Sequence, residues 1–167
     1  MSEIIVIGAG PAGLMAAVRA AELGACVTVL EKMPQAGRKL LITGNGRCNV
    51  TNNCELTEFI RHIPGNGQFL YSALRKFTNA DMREFLAHWG VPTKVESNGR
   101  VFPVSDKAQD VLEAFLRALA TYEGKLCTDQ PVTKLIVESG CVSGVITAKG
   151  KKYAADAVIL ATGGASF

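Results

Sequence analysis

The 167-residue sequence has no C-x-x-C pair, and its five cysteines are an odd number. That usage fits neither a zinc site nor a disulfide framework, so no metal is expected and the thiols read as reduced, in a cytoplasmic protein. Histidine is nearly absent. His62 and His88 each stand alone on a stretch that reads as a helix, a pattern of surface or core-edge residues rather than catalytic ones. No apolar run approaches the ~20 residues of a membrane span. Met1-Ser2-Glu3 leads straight into a core strand, so neither a signal peptide nor a membrane partner is expected. A strong charge of one sign is also missing. Net charge is +3, from 18 Lys and Arg against 15 Asp and Glu, and the basic residues are scattered. Charge therefore gives no support to a nucleic-acid partner. Asn49-Val50-Thr51 matches a glycosylation sequon that has no meaning without secretion. There is no internal repeat or low-complexity segment.

What is present is concentrated at the start. Ile4 to Lys32 reads IIVIGAGPAGLMAAVRAAELGACVTVLEK. Gly8, Gly10 and Gly13 form G-x-G-x-x-G, a weak signal alone but one that here follows a strand and opens a helix. Ile4 to Ile7 is a short apolar run that suits a buried parallel strand. Gly8 allows a tight turn, Gly10 lets a pyrophosphate approach the backbone, and Gly13 lets the helix sit close to the strand. The helix begins near Pro11 and Ala12 with no Ser, Thr, Asp or Asn to cap it, so its free N–H groups suit an anion. It runs to about Leu23, where Gly24 stops it. Val27 to Leu30 is the next strand. Glu31 stands at its end, 18 residues after Gly13, where a carboxylate can accept hydrogen bonds from both ribose hydroxyls and would repel a 2′-phosphate. Lys32 follows it at the same strand end.

The remainder reads as mixed structure. Met33 to Asn53 is loop-like. Leu56 to Ile63, Gln68 to Phe77 and Ala80 to Trp89 read as helices, the last with Asn79 as its N-cap and Gly90 as its stop. Asn98-Gly99 is a hairpin turn between Val95 and Val101. Ser105 is positioned to cap a helix from Asp106 to about Tyr122, with Leu112, Phe115, Leu116 and Leu119 on one face. Lys125 to Cys127 is a short strand, and Val132 to Glu138, Val142 to Ala148 and Lys152 to Ala154 suggest an antiparallel meander. Ala157 to Ala161 is a further apolar strand that enters Thr162-Gly163-Gly164. Cys26, Cys127 and Cys141 fall in strands and read as small buried apolar residues.

Ala36 to Asn52 is the other unusual stretch, with Gly37, Gly44 and Gly46 among Arg38, Lys39 and Arg47. Glycine-rich backbone can expose successive N–H groups, and the cations can offset negative charge. The alternative is a solvated basic loop. Its place after Glu31, on the carboxyl-end side of the sheet, favours ligand contact. Cys48 and Cys54 are spaced C-x5-C across turn-forming residues, which argues against a redox disulfide.

Four stretches together carry a resemblance: GAGPAG (Gly8 to Gly13), GRKLLITGNGRCNVTN (Gly37 to Asn52), GRVFPVSDKAQDVL (Gly99 to Leu112) and ATGG (Ala161 to Gly164). The chain resembles the aminoacetone oxidase-like family of bacterial FAD-binding flavoproteins, a group with relatives linked to bile-acid reduction. Its second glycine turn reads Gly44-Asn45-Gly46, where many members have three glycines. The resemblance implies FAD in extended form, its adenosine half on Gly8 to Gly13 and Glu31 and its isoalloxazine near Gly44 to Asn49, which includes Arg47 and Cys48. It places the Val132 backbone over the adenine, and Ala161, Thr162, Gly163 and Gly164 on the pyrophosphate or ribityl side. Arg47 is the best candidate for a charge role toward the reduced flavin or the pyrophosphate.

The expected fold is α/β: a Rossmann-type FAD-binding domain with a parallel sheet, an antiparallel β-meander and a helical excursion between Leu56 and Tyr122. Residues 1–167 are expected to be the N-terminal part of that domain, without an inserted substrate domain and a last FAD-domain segment. The expected activity is flavin-dependent oxidoreduction of a small organic substrate, with NAD(P)H as a candidate electron donor. No catalytic acid or base stands out. The alternatives are an NAD-dependent dehydrogenase, a flavoprotein acting on tRNA, and a truncated cofactor-binding module without turnover.

Overall fold

The structure is a computed structural model that describes residues 1–164. In chain order its elements are β1 (Glu3–Ile7), α1 (Pro11–Glu22), β2 (Cys26–Leu30), α2 (Arg38–Ile42), β3 (Thr51–Asn52), α3 (Leu56–Arg61), a 3-10 turn (Gly67–Leu70), α4 (Tyr71–Lys76), α5 (Asn79–His88), β4 (Thr93–Val95), β5 (Arg100–Pro103), α6 (Ala108–Thr121), β6 (Lys125–Cys127), β7 (Val132–Glu138), β8 (Cys141–Thr147), β9 (Lys152–Ala154) and β10 (Ala157–Leu160). The chain divides into two compact units, Met1–Leu40 with Phe115–Phe167, and Leu41–Ala114.

The first unit holds a four-stranded sheet in the order β10-β1-β2-β6, parallel throughout. The earliest strand lies inside the sheet, and the order reverses between β1 and β10. This is the Rossmann arrangement, and its ligand crevice opens beyond the carboxyl ends of those two strands. Ile5, Val6 and Ile7 are all buried although successive side chains point to opposite faces, so the sheet is covered on both. On one face Ile5, Ile7 and Leu30 pack with Val145 of the separate antiparallel sheet β7-β8-β9 and with Ala155, which follows β9. The α1 helix buries Gly13, Leu14, Ala17, Val18 and Ala21, an i, i+4 stripe that small residues keep narrow. Gly24 ends it in left-handed backbone (φ 89°).

The second unit is built on the sheet β3-β5-β4 and short helices. The expected hairpin is present. Val95 pairs with Val101, and Gly99 takes the left-handed conformation its turn requires (φ 77°).

Several boundaries differ from expectation. The cap of α5 is Thr78, not Asn79. Its hydroxyl accepts the Asp81 N–H at 3.2 Å, and the Asp81 carboxylate accepts the Thr78 N–H at 2.7 Å, a reciprocal capping box that satisfies two orphan donors. The Asn79 amide instead donates to the Asn52 and Cys54 carbonyls. The α6 helix starts at Ala108 because Asp106 sits in left-handed backbone (φ 56°), which no α-helix tolerates. Its buried face carries Val111, Leu112, Phe115, Ala118 and Leu119, with Leu116 half-buried. Gln68 to Phe77 is a 3-10 turn followed by a short helix rather than one helix, and Met33 to Asn53 contains α2 and β3. Cys141 is exposed, at the start of β8 beside the hairpin turn, while Cys26 and Cys127 are half-buried.

Candidate nucleotide site

In the first unit the predicted glycine turn lies at the end of β1. Gly8 has φ 104°, and a β-carbon on it would lie 2.5 Å from the Ala161 carbonyl oxygen. Ala161 in turn donates its N–H to the Ile7 carbonyl at 2.9 Å. The structure therefore brings Gly8 together with Ala161 and Thr162 at the point where strand order reverses. Gly13 is closer still to its neighbour, since a methyl there would overlap the Gly8 carbonyl oxygen. Gly10 differs from both. It has ordinary backbone (φ −75°), and no atom lies within 4 Å of where its β-carbon would be. That open space is what a phosphate approaching the backbone needs.

The helix start behaves as the residue types require. Gly10 is the N-cap and supplies no side chain, Pro11 has no N–H, and no acidic residue occupies the first turn. The Gly8 N–H donates to the Leu30 carbonyl at 2.8 Å, the Ala9 N–H to Glu31 Oε2 at 2.7 Å, and the Leu14 N–H to the Gly10 carbonyl at 2.9 Å. The amides of Gly10, Ala12 and Gly13 have no acceptor among the described residues. Open N–H groups on either side of Pro11 at a helix N-terminus are the kind of donor set that suits an anion.

Glu31 is placed beside that donor set. Its Oε1 accepts the Met33 N–H at 2.9 Å and its Oε2 the Ala9 N–H. A carboxylate has about four lone-pair sites, so acceptor capacity remains for a sugar. The Ala9 carbonyl accepts the N–H of Gly37, which is buried in left-handed backbone (φ 68°). Lys32, Arg38 and Lys39 are exposed. Gln130 donates its N–H to the Glu31 carbonyl at 2.9 Å, and Val132, two residues on, packs on the cluster that contains Leu30. Thr162, Gly163 and Gly164 are exposed.

The second unit contains the other predicted turn. Gly44, Asn45 and Gly46 are three successive left-handed residues (φ 60°, 57° and 83°), and Cys48 is a fourth (φ 61°). All of the first three are exposed, and so is Asn49. The turn is braced from within. The Arg47 guanidinium reaches Glu96 at 2.5 Å and Asp106 at 2.8 Å, and lies 4.0 Å over the Phe102 ring. Asp106 also pairs with Lys94. The Ala108 N–H donates to the Gly46 carbonyl at 2.8 Å. Lys94, then Arg47, holds the Asp106 carboxyl below the usual range, and Glu96, then Asp106, raises Arg47. Arg47 thus spends its charge on two carboxylates. Sequence reasoning missed this cluster because Lys94, Glu96 and Asp106 are distant in the chain. Its only local trace is the GRVFPVSD stretch that supplies Phe102 and Asp106. Ala9 was missed as well, because its contribution is entirely main-chain.

Both Cys48 and Cys54 are free thiols. Burial pushes the Cys48 thiol up to about 11, which makes it a poor nucleophile at neutral pH. An open cleft of about 860 Å³ lies in the same unit, walled by Phe59, Ile63 and Val95 and edged by Asn49, Glu58 and Ser97. Among the described residues no cluster could hold a metal ion, and no helix is long and apolar enough to cross a membrane.

The family described as "HI0933-like protein Rossmann domain" matches residues 2–167. The chain is 37% identical over 166 residues to the 3-dehydro-bile acid delta(4,6)-reductase of Clostridium scindens, which covers 98% of this chain and 39% of that protein. It is 33% identical over 167 residues to the ribosomal RNA dihydrouridine synthase of Haemophilus influenzae, covering 99% and 41%. The chain thus spans about two fifths of the curated relatives it matches. In fold it is similar to the 3-ketosteroid-delta4-(5alpha)-dehydrogenase of Rhodococcus jostii RHA1, with a TM-score of 0.71 at 18% identity, covering 95% of this chain and 45% of that one. This chain belongs to the HI0933-like Rossmann domain family.

Proposed function

We propose that this chain is the N-terminal, nucleotide-binding part of an FAD-dependent oxidoreductase. One observation carries the reading. Three open amides, at Gly10, Ala12 and Gly13, lie next to a carboxylate with spare acceptor capacity, at the reversal of strand order in a Rossmann sheet. A diphosphate fits the amides and a ribose fits Glu31. The Gln130 to Val132 segment and Ala161 to Gly164 are assigned to the adenosine and pyrophosphate surroundings of the same nucleotide.

When bound, the flavin would supply hydride transfer at its N5. The residues here hold and orient it. The left-handed Gly44-Asn45-Gly46 turn presents exposed backbone, and we assign it, with Asn49, to the flavin end. Arg47 braces that turn rather than facing the cofactor as a free charge, since Glu96 and Asp106 already balance it. The substrate is assigned as a small organic molecule, the electron donor as NAD(P)H and the compartment as the cytoplasm. The relative named for a bile-acid reductase supports redox chemistry on a small molecule.

A second reading has its own support. A relative named for ribosomal RNA is 33% identical to this chain over 167 aligned residues, so scattered charge is not a reason to set RNA aside. The test is the protein purified with whatever it retains. A yellow protein with a flavin spectrum that NAD(P)H bleaches without air supports the proposal. A colourless protein that binds NAD would replace it with a dehydrogenase, and co-purified ribosomal RNA would favour the second reading.

A further inference from the structure

Ala9 is the fixed point of the phosphate turn. It is fully buried, at 0% exposure, and both of its backbone groups are bonded to the segment after β2. Its N–H goes to Glu31 Oε2 at 2.7 Å and its carbonyl accepts the Gly37 N–H at 2.9 Å. Water cannot replace the carboxylate at a buried amide without the turn moving. The next residue, Gly10, carries the first of the three open amides, so a displaced Ala9 misplaces the donor set.

We infer that Glu31 is a positioning residue for the diphosphate as well as a partner for the ribose. Through the Ala9 N–H it holds the turn that aims the Gly10, Ala12 and Gly13 amides. This rests on the nucleotide-site reading above. Two effects of the carboxylate on a diphosphate have opposite signs. Its charge repels an anion, so removing it would tighten anion binding. Its grip on Ala9 organises the donor set, so removing it weakens binding. A charged hydrogen bond to a buried amide outweighs a repulsion screened by solvent at this half-buried site.

The two roles separate with a ligand that has no ribose hydroxyls. ADP and 2′,3′-dideoxy-ADP are titrated calorimetrically into the wild-type chain, Glu31→Gln and Glu31→Ala. Dideoxy-ADP should bind Glu31→Ala about tenfold more weakly than wild type, and Glu31→Gln, which keeps one acceptor oxygen, about threefold more weakly. ADP should lose more than dideoxy-ADP in both variants. Exchange of the Ala9 amide should quicken while Val6 and Val29 stay protected, an effect that global loosening would not produce. Where Glu31→Ala does not fold, Glu31→Gln carries the comparison. Variants that bind dideoxy-ADP as tightly as wild type, or more tightly, overturn the inference and leave the nucleotide site standing. Wild-type protein that binds neither ligand overturns the nucleotide site itself and this inference with it.

Discussion

The carbonyl oxygen of Gly8 lies directly against Gly13, in the space where any larger residue would carry its β-carbon. That contact sets how closely α1 approaches the end of β1. Gly13→Ala must move the helix or the turn, and overpacking of this kind costs ~1–3 kcal/mol. Gly10→Ala meets nothing within 4 Å. It should change stability by less than about 1 kcal/mol while blocking the approach of phosphate. Urea denaturation paired with ADP titration checks both. A Gly13→Ala protein as stable as wild type would contradict the packing.

Asn45 occupies left-handed backbone between two glycines. Asn45→Gly should be neutral or slightly stabilising, because glycine enters this region freely. Asn45→Val should cost about 1–2 kcal/mol, since a β-branched side chain resists φ near +57°. Thermal unfolding of the two variants side by side reads the difference.

The Asp106 carboxyl is held low in the folded chain, by Lys94 first and Arg47 second. A depressed folded value adds stability that is present above the unfolded value, about 3.9, and is lost as pH falls through the folded one. The stability gap between wild type and Asp106→Asn should therefore be widest near neutral pH and shrink below pH ~4. Denaturant titrations at pH 7, 5 and 3 test the sign. A gap that widens in acid would place the cluster's stabilisation elsewhere.

Cys48 is 5% exposed, and burial pushes its thiol up to about 11. At pH 8 it should react with a thiol probe far more slowly than exposed Cys141. Its raised folded value means that the stabilisation from keeping the thiol neutral is complete below the unfolded value of ~8.5 and is lost as pH rises toward 11. Mass-spectrometric labelling at pH 8 and pH 10 follows both effects.

The parallel sheet was readable from the chain because its signals are local. An apolar run, a glycine turn, an uncapped helix and an acidic strand end each occupy a few residues, and their order allows few topologies. The Asn98-Gly99 hairpin was equally plain. The helix starts after Phe77 and after Ser105 were misplaced for a shared reason. Thr78 and Asn79 are both good caps, and only the reach of Asp81 back to Thr78 chooses between them. Asp106 looks like a first helical residue until its carboxylate is drawn to Lys94 and Arg47.

The order of residues by itself determined that a strand, an open helix tip and a carboxylate would meet in a nucleotide-binding sheet, because hydrophobic period and backbone freedom act over neighbouring positions. Only the tertiary structure decided what the charges do. Arg47 faces Glu96 and Asp106, and Glu31 grips the buried Ala9 amide. Electrostatic and hydrogen-bond partners are chosen by distance in space, which residues far apart in the chain acquire only when the fold closes.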